Sequence, residues 1–161
     1  FGIRFFSKIE RRNFLMEFKY LNRMKYFIYL YENIHVMEAN DFLLVEETRK
    51  GIDKAAFQKV VKQTNLSFKE FASYLHVSGR MIQSKKAHEK LPLKVTEHTL
   101  FIKKLYEFGV EIFGDVERFN QWMQTPNPVL GNEKPKSYLD TISGIMFLRN
   151  KLNEIAHGFV A

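Results

Sequence analysis

The stretch TPNPVLGNEKPKSYLDT, residues 125–141, constrains this chain more than any other, because it holds three of the chain's four prolines. Pro126 and Pro128 cannot donate to a helical ladder, so the helix that carries Trp122 must end by Thr125. Val129, Leu130 and Gly131 then read as an apolar plug and a flexible corner. Pro135 suits the first turn of a new helix, where its missing N–H costs nothing. Tyr138 and Leu139 anchor that short helix, and Asp140 or Thr141 starts the last one. The expected result is two helices held at a fixed angle by a rigid loop, and such a corner presents a surface.

The rest of the chain is helical in pattern. Asp53 is placed to cap a helix with Phe57, Val60 and Val61 on one side. Ser67 and Glu70 form an S-x-x-E capping box ahead of Phe71, Ala72 and Leu75. A long amphipathic run extends from about Val95 to Phe113; Gly114 ends it and Asp115 restarts the chain toward Phe119, Trp122 and Met123. Ile145, Leu148, Leu152 and Ile155 form the stripe of a final helix. No strand alternation of useful length, repeat or low-complexity segment interrupts this pattern. The expected fold is all-α, with a helix-turn-helix N-terminal half and a small helical domain after it.

Residues 66–86, LSFKEFASYLHVSGRMIQSKK, carry the helix-turn-helix signal. Ala72 is the small residue where two helices cross, Val77 closes the turn, Ser78 caps the second helix and Ile82 returns to the core. His76 occupies the turn position where glycine is usual. The second helix offers Arg80, Gln83, Ser84, Lys85 and Lys86 outward, donors suited to phosphates and base edges. The alternative reading of the same residues is a solvated basic helix in a small bundle.

Charge is distributed unevenly. The 161 residues carry a formal net charge of +7. Residues 1–36 hold seven Lys/Arg against three Asp/Glu, residues 37–90 ten against seven, and residues 91–161 eight of each. A basic front and a neutral back suggest different partners for the two parts. Residues 1–36 also hold ten of the 23 Phe and Tyr residues. They read as an extension of uncertain status ahead of Met37, or as an aromatic, basic helical arm. The domain expectation is therefore 1–36 extension, 37–94 helix-turn-helix domain and 95–161 C-terminal domain.

Catalysis is not expected. His35, His76, His88, His98 and His157 show no metal-ligand spacing, the chain has no cysteine, and neither a GxSxG elbow nor a phosphate-cradling glycine loop is present. No metal or cofactor is expected either. The absence of cysteine fits a reducing cytoplasm, and no apolar run approaches the ~18–20 residues of a membrane span.

The C-terminal string resembles the toxin-binding domain of Xre/MbcA/ParS-type antitoxins. Those proteins carry F-G-d, then a W-L-x-x-P-N-x-x-L-G-G-x-x-P-x-x-L-L-x-T core, then a helix ending in I-x-x-G. Here Phe113, Gly114, Asp115, Trp122, Pro126, Asn127, Leu130, Gly131, Pro135, Leu139, Thr141, Gly144, Ile155 and Gly158 fall in register. The segment from about Glu47 to Leu91 is similar to the Xre-like helix-turn-helix half. Three departures stand out: Asn132 replaces the second glycine of L-G-G, the basic pair of the recognition helix is reduced to Ser84 and Lys85, and His98 takes the place of a common arginine.

The resemblance implies an antitoxin whose C-terminal region packs over a RES-type, NAD-consuming toxin encoded by the adjacent gene. It also implies promoter DNA as a second partner and a homodimer or larger hetero-oligomer with toxin. Trp122, Leu130, Pro135, Tyr138 and Leu139 are then expected to shape the docking surface, with structural packing the competing role for Trp122. Arg149, Asn153, His157, Gly158 and the tail to Ala161 are expected to reach the toxin's cleft. The alternative function is a stand-alone helix-turn-helix transcriptional regulator.

Overall fold

Short polar side chains open most of the helices, each accepting a hydrogen bond from an orphan amide of the first turn. The computed structural model describes residues 42–158, and the expectations for residues 1–36 and for residues 159–161 lie outside them. Helix α1 covers residues 42–50. Asp53 caps α2 (Lys54–Thr64), accepting from the Ala56 amide at 2.8 Å. Ser67 caps α3 (Phe68–Tyr74) and Ser78 caps α4 (Gly79–Gln83), each at 3.2 Å. Helix α5 (Leu93–Phe113) follows Pro92 without a side-chain cap. Asp115 starts α6 (Val116–Gln124) by accepting from Arg118 N–H at 2.7 Å. Thr141 starts α7 (Ile142–Ala156) by accepting from Gly144 N–H at 3.1 Å. Two 3-10 turns, Pro128–Leu130 and Pro135–Asp140, lie between α6 and α7.

No strand is present among the described residues; the extended contacts are two isolated bridges, Asp53 with Lys90 and Asn127 with Glu133. The all-α expectation therefore holds. From Leu44 onward the chain forms one unit, and its core runs without interruption from Phe57 through Phe71, Ile82, Ile102, Leu105, Phe119 and Leu139 to Leu152. Helices α2–α4 and the C-terminal helices are built on that shared core.

Helix α5 is the spine, with α2, α6 and α7 packed along it. Its crossing with α6 is close because Gly109 has no side chain: a Cβ there would overlap the Phe119 ring. Phe119 in turn meets Tyr106 edge-on at 5.0 Å and lies nearly parallel to Trp122 at 5.8 Å. Such pairs add about 0.5–1.5 kcal/mol each beyond burial.

One buried polar chain crosses this region. Tyr106 donates its hydroxyl hydrogen to Asn120 Oδ1 at 2.9 Å, and Asn120 Nδ2 donates to the Thr64 carbonyl, also at 2.9 Å. The three residues sit on α5, on α6 and at the end of α2, so one amide ties three helices. Burial pushes the Tyr106 hydroxyl well above its ordinary range, which keeps it a donor. Asn120→Ala would leave both partners buried and unpaired, and is expected to lower stability by about 1–3 kcal/mol in urea unfolding. A smaller loss from Asn120→Ala than from an exposed control such as Gln121→Ala would contradict this role.

Candidate functional site

The loop from Thr125 to α7 closes on itself before it meets the core. Helix α6 ends where Thr125 turns extended ahead of Pro126, its amide bonded to the Trp122 carbonyl at 3.1 Å. Asn127 organises the next five residues. Its side-chain oxygen accepts from Val129 N–H, its carbonyl accepts from Leu130 N–H and Asn132 N–H, and its own amide donates to the Glu133 carbonyl. Gly131 and Asn132 are both left-handed, at φ 65° and 64°. An asparagine tolerates that conformation better than most side chains, which accounts for Asn132 in a place where a second glycine is usual.

The plug differs from the sequence expectation in one respect. Leu130 is buried, whereas Val129 is 50% exposed. A single 3-10 turn has three residues per revolution, so only one of its side chains can point inward. Val129 is therefore surface and not plug.

The second turn, Pro135–Asp140, is gripped from two sides. His98 on α5 donates from Nε2 to the Leu139 carbonyl at 2.8 Å. His76, the left-handed corner between α3 and α4, donates from Nε2 to the Asp140 carbonyl at 2.9 Å. Both contacts require the Nε2–H form, because a carbonyl oxygen only accepts. The Glu70 carboxylate of α3 adds a 3.3 Å ion pair to Lys136 and also accepts from the Tyr74 hydroxyl at 3.0 Å. Beneath the turn, Gly144 lets α7 start against it: a Cβ there would overlap the Tyr138 carbonyl and stand 2.9 Å from Thr141 Oγ1.

Tyr138 is half-buried against the core, and its ring lies 5.3 Å from that of Phe147 on α7. Lys151 Nζ sits 5.8 Å above the Phe147 ring while holding both Glu154 oxygens at 2.9 and 3.0 Å. Met146, beside Phe147, is 49% exposed and Phe147 itself 38%. A half-exposed aromatic pair with an adjacent methionine, rimmed by a lysine and a glutamate, has the composition of an interface core and its rim.

The residues singled out from sequence separate into three groups. Leu130, Pro135 and Leu139 are buried, so they set the loop's shape from beneath and offer no side chain to a partner. Trp122 is half-buried against Phe113 and Phe119, the geometry of a packed anchor. Tyr138, Arg149 and Asn153 are half-buried, and His157 and Gly158 are exposed at the C-terminal end of α7. Met146 and Phe147 were not anticipated. Their signal is present in the sequence, since they fall out of phase with the Ile145, Leu148, Leu152 stripe.

Of the residues expected to meet DNA, Arg80, Gln83, Ser84 and Lys86 are exposed. The second helix is shorter than the sequence suggests: α4 ends at Gln83, Ser84 is its C-cap, and Lys85 and Lys86 lie beyond it. Lys85 is half-buried with its ammonium on Glu89 Oε1 at 2.5 Å. The chain leaves the helix because the carbonyls of Gln83 and Lys85 both turn to Lys54 Nζ, at 2.7 and 2.9 Å.

The burial of His98 holds its imidazole below the usual histidine range, against the opposing pull of the Leu139 carbonyl. A folded-state value below the unfolded one means that the unfolded chain binds the extra proton more readily. Stability from this site is full above the unfolded value of about 6.5 and is lost as pH falls from there toward the folded value. Thermal unfolding is thus expected to drop between about pH 7.5 and about pH 5.5, and His98→Gln, whose amide can still donate, should flatten that slope. An unchanged slope in the variant would remove His98 from the account.

Comparison with known proteins places the same segment. Residues 109–158 match the family model of the antitoxin Xre/MbcA/ParS C-terminal toxin-binding domain. Over 59 residues the chain is 37% identical to the Antitoxin Xre of Photorhabdus laumondii subsp. laumondii, a match covering 36% of this chain and 40% of that relative. The chain thus spans less than half the length of that relative. Among the described residues, no helix is long and apolar enough to cross a membrane.

Proposed function

We propose, from the match of residues 109–158 to the antitoxin Xre/MbcA/ParS C-terminal toxin-binding domain, that this chain is the antitoxin of a toxin–antitoxin pair and captures its toxin on the Tyr138–Phe147 face. The toxin is of the RES type, an NAD-consuming enzyme encoded by the adjacent gene. The antitoxin acts by occupancy and not by catalysis. The observation that carries the reading is the exposed pair of Met146 and Phe147, with the half-buried Tyr138 ring 5.3 Å from that of Phe147, inside the segment matched as a toxin-binding domain.

Burial of Phe147, Met146 and Tyr138 would supply most of the affinity, since a few central aromatic side chains dominate protein interfaces. Arg149 and Asn153 lie half-buried on α7, and His157 and Gly158 are exposed at its C-terminal end. In this reading they reach the toxin's cleft and meet the polar groups that the dinucleotide would otherwise occupy. The balanced charge of residues 91–161 suits a protein partner better than a polyanion.

The helix-turn-helix supplies the second activity, binding of the operon's own promoter DNA. Arg80, Gln83 and Lys86 are the exposed donors on and just after α4, and phosphate contact is their main role; Ser84, also exposed, donates its hydroxyl to the Met81 carbonyl at 3.0 Å. Capture of toxin and of DNA would occupy different surfaces, and dimerisation would pair two half-sites about one helical turn apart.

Phe147→Asp is expected to weaken toxin capture by at least about 30-fold in a co-purification or titration experiment while leaving helicity and DNA affinity unchanged. Lys86→Ala should leave toxin capture intact and reduce the salt slope of DNA binding by about one. If Phe147→Asp captures toxin as well as the parent chain, the docking face lies elsewhere. If the full chain binds promoter DNA and ignores the neighbouring gene's product, it is a stand-alone helix-turn-helix regulator.

A further inference from the structure

The segment that follows α4 is too short to hold itself. Helix α4 has five residues, fewer than two turns, and an isolated helix of that length has no stability of its own in water. What fixes residues 83–91 is the start of α2, some thirty residues earlier in the chain. The first amides of α2 have no partner within their own helix, and two of them donate to this segment: Lys54 N–H to the Glu89 carbonyl at 3.2 Å and Ala55 N–H to the Ala87 carbonyl at 3.0 Å. Leu91 N–H returns a bond to the Ile52 carbonyl at 2.9 Å. The Lys54 side chain adds the contacts nearest to α4, with Nζ donating to the Gln83 and Lys85 carbonyls at 2.7 and 2.9 Å. These are carbonyls at and beyond the C-terminal end of a helix, where a cation is favoured.

We propose that Lys54 is a positioning residue for nucleic-acid binding: its ammonium holds the carbonyls of Gln83 and Lys85 and thereby fixes the pose in which Gln83 and Lys86 meet a duplex backbone. This rests on the DNA-binding reading given above. A lysine at the edge of a basic helix-turn-helix would ordinarily be counted among the phosphate contacts. Here its ammonium faces inward onto two carbonyls, and the donors it orients face outward. Loss of the clamp frees the residues that do touch DNA without removing any of them.

The distinction has a direct readout. A residue that neutralises a phosphate contributes about 0.9 to the slope of log K against log salt, and a residue that acts through its neighbours contributes nothing to that slope. With a fluorescein-labelled duplex of the DNA upstream of this gene, Lys54→Met is expected to raise Kd about tenfold at fixed salt. The salt slope should stay that of the parent chain. Lys54→Arg, which keeps charge and enough donors for both carbonyls, should restore affinity to within about twofold. In the same Lys54→Met protein, amide exchange at Ser84, Lys85 and Glu89 should accelerate, while Asn120 keeps the parent rate and so reports an intact core. Parent-like affinity in Lys54→Met, a slope lowered by about one, or unchanged exchange at those three amides would each overturn the proposal. Failure of the DNA-binding reading is separable, because it would appear in the parent chain as an absence of duplex binding before any substitution is made.

Discussion

Two imidazoles donating to two consecutive carbonyls hold the rest of this structure in order. His98 reaches Leu139 from the central helix and His76 reaches Asp140 from the corner of the helix-turn-helix. Between them they satisfy the backbone of the Pro135–Asp140 turn at the point where it enters the core. Without its donor the buried Leu139 carbonyl would be left unpaired, at a cost of about 1–3 kcal/mol, whereas the exposed Asp140 carbonyl could turn to water. Everything downstream depends on that point: the direction in which Tyr138 emerges, the seat of Gly144 beneath it, and the angle at which α7 departs.

The same contacts explain how one small core can serve two surfaces. Glu70 lies on α3 and His76 at the corner after it, yet their side chains end on Lys136 and Asp140. The ion pair with Lys136 is partly exposed and contributes little by itself, since surface pairs are worth about 0–1 kcal/mol. Its orientation matters more than its strength, because it registers α3 against the loop. A partner that alters the loop would act on the helix-turn-helix through these groups, and the effect would be reciprocal by linkage.

Much of the local structure is written in local residues. Asp53, Ser67, Ser78 and Asp115 start the helices they were expected to start, and of Asp140 and Thr141 it is Thr141 that caps α7, since capping is decided within three or four residues. The left-handed turn at His76 was likewise legible from its place between α3 and α4. What sequence could not supply is contact across distance. Nothing near His98 says that its ring ends on a carbonyl 41 residues away, nor does anything near Lys54 point to Gln83 and Lys85. The division of the docking candidates between buried and exposed positions is non-local in the same way. Leu130, Pro135 and Leu139 are motif residues, and in this structure they carry shape, while Met146 and Phe147 lie outside the motif and carry the exposed surface.

The central claim is that this corner exists to present a surface to a toxin, and cellular NAD tests it most directly. The adjacent gene would be induced alone, with the full chain, and with the full chain carrying Phe147→Asp, and NAD followed in each culture. The account predicts that NAD falls with the neighbour alone, recovers with the parent chain and stays low with the variant. A neighbour that leaves NAD untouched, or a collapse that the parent chain does not reverse, would contradict it.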